Sequence, residues 1–190
     1  MKNSIKFCYQ YVNLTLILIM VVGVLMGTAI SCSGSGTGPD DSEGFTGNWS
    51  MAKWSKSEIQ GGTTSINGTA AELILSYNVD LGSSGTGVSR RTAIFQVKVP
   101  SSGIVMFDWK YTGFHAFFRS FGELTVRSGS ASSVLVDDQA TGGQSFTFSG
   151  STSIDVTKGQ TLEFEVGGRN FDSNSRLRGD VTITSFRLIR

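Results

Sequence analysis

Aromatic side chains are concentrated in one short segment, Phe114–Phe121, which has the sequence FHAFFRSF. Four phenylalanines, one arginine and the only histidine of the chain lie within these eight residues. If the segment is exposed, flat aromatic faces beside a guanidinium group can stack on a sugar ring or on a partner surface. The alternative, which we favour, is that two or three of the rings close one end of the core. The candidate ligand-binding residues of the segment are Phe114, His115, Phe117, Phe118 and Arg119.

Two aromatic residues elsewhere, Trp54 and Tyr77, are further candidates for stacking on a ligand. Their rings combine an apolar body with a polar tip, which suits a half-exposed binding surface. Trp49 and Trp54 are predicted to lie in the first strand region. Trp109 shares a strand face with Phe107, so the period-two pattern predicts that it points into the core instead.

Residues able to catalyse a reaction are sparse. His115 has no second histidine near it, and Cys8 and Cys32 both precede the domain, so no set of histidine and thiolate metal ligands is present in the sequence. No Gly-x-Ser-x-Gly elbow lies on a strand–turn–helix pattern. Glu163 and Glu165 are predicted to lie on the solvent side of an antiparallel strand rather than to form a catalytic carboxylate pair. We therefore expect no enzymatic activity.

Oxygen-bearing side chains alternate near the end of the chain, at Asn170, Asp172 and Asn174. This spacing favours a structural calcium ion only weakly, because the glycine and the distal glutamate of an EF-hand loop are missing. Asx-turn hydrogen bonding explains the same residues more simply. No other cofactor is expected.

The first residues have the layout of a secretory signal. Lys2 and Lys6 precede an almost wholly apolar run, Leu14–Ala29. The sequence Ala29–Cys32 (AISC) follows and resembles the lipobox of bacterial lipoproteins, in which the chain is acylated on the cysteine and cut before it. The resemblance implies a signal peptide over residues 1–31 and a lipid on Cys32. An uncleaved anchor helix is the alternative, since the apolar run approaches the length of a membrane span.

Residues 32–44 are predicted to form a flexible, acidic tether, and residues 45–190 a single folded domain. The tether contains Gly-Ser and Gly-Thr pairs followed by Asp40, Asp41 and Glu43. Acidic residues soon after a lipid cysteine resemble an export signal for the outer face of the outer membrane, although a solvated linker also explains them. We expect a lipid-anchored protein of the cell envelope, at the outer membrane.

Charge is nearly balanced over the chain, with a formal net charge of +1. Lys2 and Lys6 lie in the leader, and no basic stripe is visible beyond it. A nucleic-acid partner therefore has no electrostatic support.

The remainder of the chain alternates apolar and polar residues with period two. Ile104–Tyr111 (IVMFDWKY) is apolar on both faces at its start, which predicts a central strand. In Asp180–Ile189 the period slips at Ser185, which predicts a β-bulge. About nine or ten strands with turn signals between them, and no helical segment, indicate an all-β, antiparallel two-sheet β-sandwich of the jelly-roll type in preference to a closed barrel.

Three stretches resemble a β-sandwich module of large extracellular bacterial proteins. They are Val97–Tyr111 (VKVPSSGIVMFDWKY), Ile154–Val166 (IDVTKGQTLEFEV) and Ile183–Phe186 (ITSF). The resemblance covers about half of the chain and implies a jelly roll similar to CUB and carbohydrate-binding domains, which serve as accessory or adhesive units without catalysis. Members often carry acidic residues after the tryptophan strand; Thr112–Phe121 has none, so a calcium or polar ligand site in that loop is not implied.

The sequence thus predicts a surface-tethered, non-catalytic binding module for a glycan or another envelope polymer. The alternative is a structural or adhesive envelope lipoprotein that binds a protein partner. An exposed aromatic row on a sheet would favour the first function, and a flat apolar patch at one end of the sandwich would favour the second.

Overall fold

Ten antiparallel strands in two five-stranded sheets form the folded part of this computed structural model, which describes residues 42–80, 89–116, 121–138, 144–171 and 176–190. Sheet 1 has the order β2-β3-β10-β5-β8, and sheet 2 has the order β1-β4-β9-β6-β7. The strands are β1 (Ser55–Lys56), β2 (Gly62–Gly68), β3 (Glu72–Asp80), β4 (Ser89–Lys98), β5 (Gly103–His115), β6 (Phe121–Ser128), β7 (Ala131–Asp138), β8 (Gln144–Val156), β9 (Thr161–Phe171) and β10 (Arg176–Ile189). The prediction of an all-β, two-sheet antiparallel sandwich is confirmed.

Alternation of side chains explains why these segments pair as two stacked sheets. In β5 the buried residues are Val105, Phe107, Trp109 and Tyr111, at every second position, because successive side chains of a strand point to opposite faces. Their partners across the sandwich include Phe164 of β9, whose ring centroid lies 5.2 Å from that of Phe107. β5 lies between β10 and β8, so its prediction as a central strand is also confirmed.

The chain changes sheet at most of its connections. β3, β5, β8 and β10 belong to sheet 1, whereas β4, β6, β7 and β9 belong to sheet 2. Crossing between two antiparallel sheets in this way is the connectivity of a jelly roll. Within the described residues, no helix combines the length and the apolar character needed to cross a bilayer.

The region of Trp49 and Trp54 differs from its prediction as a strand. Two single-turn 3-10 helices, Gly47–Trp49 and Met51–Lys53, occupy it. Both indole rings are buried, and the Trp54 Nε1–H donates to the Trp49 carbonyl oxygen at 3.0 Å. The tight turns bring both rings to the same side of the chain, which an extended strand with this spacing would not do.

Two boundaries also differ from the prediction. The last residues of the predicted tether, Ser42–Gly44, are hydrogen-bonded to β10 through Phe186 and Leu188, so the folded domain begins before Phe45. The sequence alternates with period two over 144–148 and again over 152–156, which predicts two strands, but both stretches belong to the single strand β8. A Cβ atom at Gly150, in the middle of β8, would lie 3.0 Å from the Trp109 ring, so the glycine makes room for that ring.

The predicted bulge in β10 is confirmed. The pairing of β10 with β5 shifts between Thr184 and Arg187, and Ser185 has a φ of 51°. The extra residue restores the inward direction for Phe186, which is 1% exposed in the core.

Candidate functional site

The outer face of sheet 2 carries a network of charged side chains, which we call the arginine–carboxylate face. It consists of Arg90 on β4, Glu165 and Arg169 on β9, and Glu123 and Arg127 on β6. Strand register brings them together: Glu123 is paired with Gly167, and Thr125 is paired with Glu165, so the two glutamates are diagonal neighbours on adjacent strands.

Arg90 bridges the two glutamates at the centre of this face. Its Nε–H donates to Glu123 Oε2 at 2.6 Å, and its Nη1 lies 2.8 Å from Glu165 Oε1. Arg90 and Arg91 are successive residues of β4, so Arg90 points outward, while Arg91 points inward and donates to the Gln60 carbonyl oxygen at 2.6 Å. The pairing of β4 with β9 shifts beside Arg90, between the pairs Ser89–Phe171 and Arg91–Gly168, and the extra residue lies on β9.

Each glutamate has a second arginine. Arg127 Nη1 lies 2.5 Å from Glu165 Oε2, and Arg169 Nη1 lies 3.3 Å from Glu123 Oε1. Both glutamate side chains are nearly inaccessible, at 8% for Glu165 and 6% for Glu123, whereas the arginine side chains remain more than 40% exposed. The hydrogen bond with Glu123 is the main cause that raises the pKa of Arg90, and the charge of Glu165 adds to it. The face therefore presents fixed, permanently charged donors above buried acceptors.

An aromatic ring completes one side of the face. Phe121 is half-buried, and the Arg169 guanidinium carbon lies 4.4 Å above its ring centroid. Arg169 also contacts Asp137 of β7 at 2.6 Å, so its guanidinium is fixed by two carboxylates and one ring. A cation held over a ring in this geometry is attracted by its negative face.

The prediction that Glu163 and Glu165 form the wet face of a strand is wrong for Glu165. Both residues point away from the core, but only Glu163 remains partly accessible; Glu165 is buried beneath Arg90 and Arg127. Sequence reasoning missed the network because its members come from three strands whose register the sequence does not state. The only signal was an excess of arginine and glutamate at outward positions.

Tyr77 and His115, which were predicted to bind a ligand, lie in the core instead. Tyr77 is 2% exposed and His115 0% exposed. Tyr77 points inward because it lies at every-second-residue spacing from the buried Leu73 and Leu75 of β3. β5 extends four residues beyond its predicted end, which places His115 on the face that also carries Tyr111.

Three polar groups form a buried hydrogen-bond chain there. The Tyr111 hydroxyl donates to the Gly167 carbonyl oxygen at 2.9 Å and thereby uses its only proton. The Tyr77 hydroxyl, 2.5 Å away, must therefore donate to Tyr111, and His115 Nε2–H donates to Tyr77 at 2.9 Å. Burial raises the pKa of both tyrosines and lowers that of His115 to about 4. The chain joins sheet 1 to sheet 2 and is a structural feature of the core.

The other predicted ligand-binding residues are separated from one another. Trp54 is 7% exposed, and its ring packs against Phe164 at 5.8 Å between centroids, so its prediction as an exposed platform is wrong. Phe114 belongs to β5 rather than to a loop; it is half-buried on the outer face of sheet 1, with the Arg178 guanidinium carbon 5.8 Å from its ring centroid.

Several predicted site residues lie outside the described part of the chain: Cys32, Phe117, Phe118, Arg119, Asp172 and Asn174. Asn170 belongs to β9, but its side chain is not described. The calcium and lipid predictions on these residues stay predictions. Among the described residues, no three His, Cys, Asp or Glu side chains form a group suited to a metal ion.

Comparisons with known proteins find similarity in structure only. No protein-family model matches the chain, and no curated protein matches its sequence. A carbohydrate-binding module described for specific mannan recognition superposes with a TM-score of 0.41 and 12% identity, covering 78% of this chain and 94% of its own. The likeness is one of fold.

Two other solved structures have comparable scores. The family 11 carbohydrate-binding module of Clostridium thermocellum, in complex with a mixed-linked tetrasaccharide, has a TM-score of 0.37 and 10% identity over 77% of this chain and 95% of its own. The cleaved adhesin domain of Lys-gingipain from Porphyromonas gingivalis has a TM-score of 0.37 and 13% identity over 73% of this chain and 90% of its own.

Proposed function

We propose that this protein is a non-catalytic glycan-binding module, tethered to the cell envelope through a lipid on Cys32, with the arginine–carboxylate face as its binding surface. The observation that carries the proposal is the pair of outward-facing but buried carboxylates, Glu123 and Glu165, held by arginines that remain accessible. Charged residues in such positions are costly to desolvate and contribute little net stability, so a role in binding explains them better than a role in folding.

The chemistry of the face suits the hydroxyl groups of a saccharide. A guanidinium offers five N–H donors in a fixed plane, and the described contacts of Arg127 and Arg169 leave further donors for a ligand. Phe121 adds apolar area beside them, which matches the C–H face of a sugar ring. Three arginines and the three carboxylates of Glu123, Glu165 and Asp137 balance in charge, which favours a neutral glycan over a polyanion.

The envelope location rests on the amino-terminal residues. Lys2, Lys6, the apolar run Leu14–Ala29 and the cysteine that follows it together support export and acylation. A diacylated or triacylated cysteine would hold the protein on the outer membrane, because each buried methylene contributes about 0.8 kcal/mol.

A glycan array followed by calorimetric titration of the best ligand tests the binding function. We expect binding by the wild-type protein and a loss of about tenfold or more in affinity for Phe121→Ser and for Arg127→Gln, because each variant removes a ligand-facing group. Ile104→Ala, which truncates an exposed apolar side chain on sheet 1, is the matched control and should bind normally. Equal affinity for all four proteins would refute the assignment of the face.

The adhesive alternative gives a different result in the same experiments. If no glycan binds and the protein associates with itself or with an envelope protein in a manner lost in Phe121→Ser, the face is a protein-binding surface. Sedimentation of the wild-type and Phe121→Ser proteins over a range of concentrations distinguishes these outcomes.

A further inference from the structure

The bulge in β10 changes the outer face of sheet 1 as well as the core. Ser185 and Phe186 together oppose a single residue of β5, between the pairs Thr184–Asp108 and Arg187–Met106. Phe186 points inward, and Ser185 is exposed on the outer face with a φ of 51°, a conformation that non-glycine residues adopt rarely and at an energetic cost. Retained backbone strain of this kind is concentrated at functional sites.

The bulge creates a pocket, which we call the Ser185 pocket. Its volume is about 470 Å³, within the range of roughly 300–1,000 Å³ that small-molecule sites occupy. Three strands, β5, β8 and β10, contribute polar side chains to this depression. The principal lining residues are Met106, Asp108, Ser151, Ser185 and Arg187.

The polar groups of the Ser185 pocket are organised before any ligand arrives. The Ser151 hydroxyl donates to Asp108 Oδ1 at 2.5 Å. This hydrogen bond, a second from the Ser185 hydroxyl and the charge of Arg187 lower the pKa of Asp108, so its carboxylate is an ionised acceptor at neutral pH. Arg187 also lines the pocket, with Nη2 3.8 Å from the Met106 sulfur. An acceptor, a fork of donors and two hydroxyls thus surround an apolar patch.

We propose that the Ser185 pocket binds one saccharide unit through adjacent hydroxyl groups, as a second glycan site on the sheet opposite to the arginine–carboxylate face. Vicinal hydroxyls need a neighbouring acceptor and donor, which Asp108 and Arg187 supply, while Met106 can contact the ring carbons. The one carboxylate and the one guanidinium that line the pocket cancel in charge, which disfavours an ionic ligand. The choice of ligand class rests on the proposed function; the existence of the site rests on the bulge.

Two sites on opposite sheets would have a consequence for polysaccharides. A ligand bound on one face cannot reach the other without leaving the first, so the protein would connect two chains rather than grip one chain twice. Binding to a dense network of polysaccharide chains would then exceed binding to a short soluble oligomer, because a neighbouring chain of the network meets the second face at a high effective concentration.

Amide chemical-shift mapping of the intact ¹⁵N-labelled protein tests the proposal. The probes are methyl β-glucoside, methyl β-galactoside and methyl α-mannoside at millimolar concentrations, with glycine as a zwitterionic comparison. At least one glycoside should shift amides around Asp108, Ser151 and Arg187. Asp108→Asn should weaken this binding by about tenfold or more, because it replaces a charged acceptor by a neutral amide. Asp155→Asn, an exposed aspartate of β8 outside the pocket, is the matched control and should change nothing.

The outcomes separate the two sites. Shifts confined to β4, β6 and β9 would overturn the second site and leave the proposed function intact. Shifts confined to the Ser185 pocket would support the second site and refute the arginine–carboxylate face as the binding surface. Binding of glycine instead of glycosides, or no response of the pocket to any probe, would overturn the inference. Ser185→Gly allows the left-handed backbone and removes the hydroxymethyl side chain, so weakened binding in that variant would support a contact through Ser185.

Discussion

His115 makes the stability of this protein depend on pH in a way that can be measured residue by residue. It is fully buried at the end of β5, and burial lowers its pKa from 6.5 to about 4. In the unfolded chain the same imidazole regains its ordinary pKa. Between these two values the unfolded state binds a proton that the folded state does not, so acid favours unfolding.

His115 lowers the free energy of unfolding in acid and leaves it unchanged at neutral pH. Above a pH of about 6.5 the histidine is neutral in both states and has no effect on the pH dependence. As the pH falls from 6.5 to about 4, stability is lost progressively, and below about 4 the loss is complete. A difference of this size corresponds to about 3 kcal/mol, because each pKa unit is worth about 1.4 kcal/mol. That is a large part of the stability of a typical domain.

Two measurements check this prediction. The chain has a single histidine, so its imidazole signals in an NMR titration are unambiguous and should show no midpoint near 6.5 in the folded protein. Urea unfolding between pH 7 and about pH 4 gives the free energy of unfolding of the wild type and of His115→Gln. The amide of Gln can still donate to Tyr77 but cannot gain a proton, so the difference between the two curves isolates His115 from the carboxylates.

An ordinary histidine midpoint near 6.5 in the folded protein would refute the reasoning, and so would parallel curves for the two proteins. Either result would mean that water reaches His115 or that a nearby acid stabilises its charged form. If His115→Gln does not fold, Tyr77→Phe provides a second test. It removes the acceptor of the Nε2 proton and should lower the free energy of unfolding by about 1–3 kcal/mol.

Three further predictions concern the sheets and the anchor. Arg90→Met should lower the free energy of unfolding, measured in urea, by about 2 kcal/mol. This is less than the roughly 3–5 kcal/mol expected for a fully buried ion pair, because half of Arg90 is exposed. Arg176→Met is the control and should leave the free energy of unfolding unchanged, because the ion pair of Arg176 with Asp80 is exposed. Gly179→Ala should cost about 1–3 kcal/mol by the same measurement, because the new Cβ would lie 2.7 Å from Tyr77 Oη. Cys32→Ser should abolish incorporation of labelled palmitate; incorporation that persists would contradict the lipid prediction.

Period-two alternation predicted most of the sandwich because burial of one strand face imposes it directly. β5, β9 and β10 follow it closely, and the slip at Ser185 marked the bulge correctly. The same rule, extended, would have placed Tyr77 in the core, since it is in phase with Leu73 and Leu75. The prediction of Tyr77 as a binding residue is wrong because its position in the strand alternation, and not its aromatic character, decides that it is buried.

The candidate sites could not be predicted from the sequence for a different reason. Outward residues have no fixed partner until strand order and register are known, and β4, β6 and β9 are separated by long stretches of chain. Glu123 and Glu165 therefore carry no mark in the sequence that distinguishes a buried, bridged carboxylate from a solvated one. Only part of the Ser185 pocket could be predicted from the sequence. The bulge at Ser185 was predictable, whereas the approach of Asp108 and Ser151 from two other strands was not.

The outer faces of the two sheets carry different types of side chain, whereas the inner faces share one apolar core. Folding constrains the inward residues, which pack one shared core. Outward residues on β8 are mostly hydroxyl-bearing, namely Ser145, Thr147, Ser149, Ser151 and Ser153, whereas those on β6 and β9 include arginines and glutamates. Since neither pattern is needed to fill the core, each can change without loss of the sandwich. Variants at outward positions without a buried partner should therefore separate binding from stability. At Arg90, Arg127 and Arg169 the two are joined by the buried carboxylates beneath them.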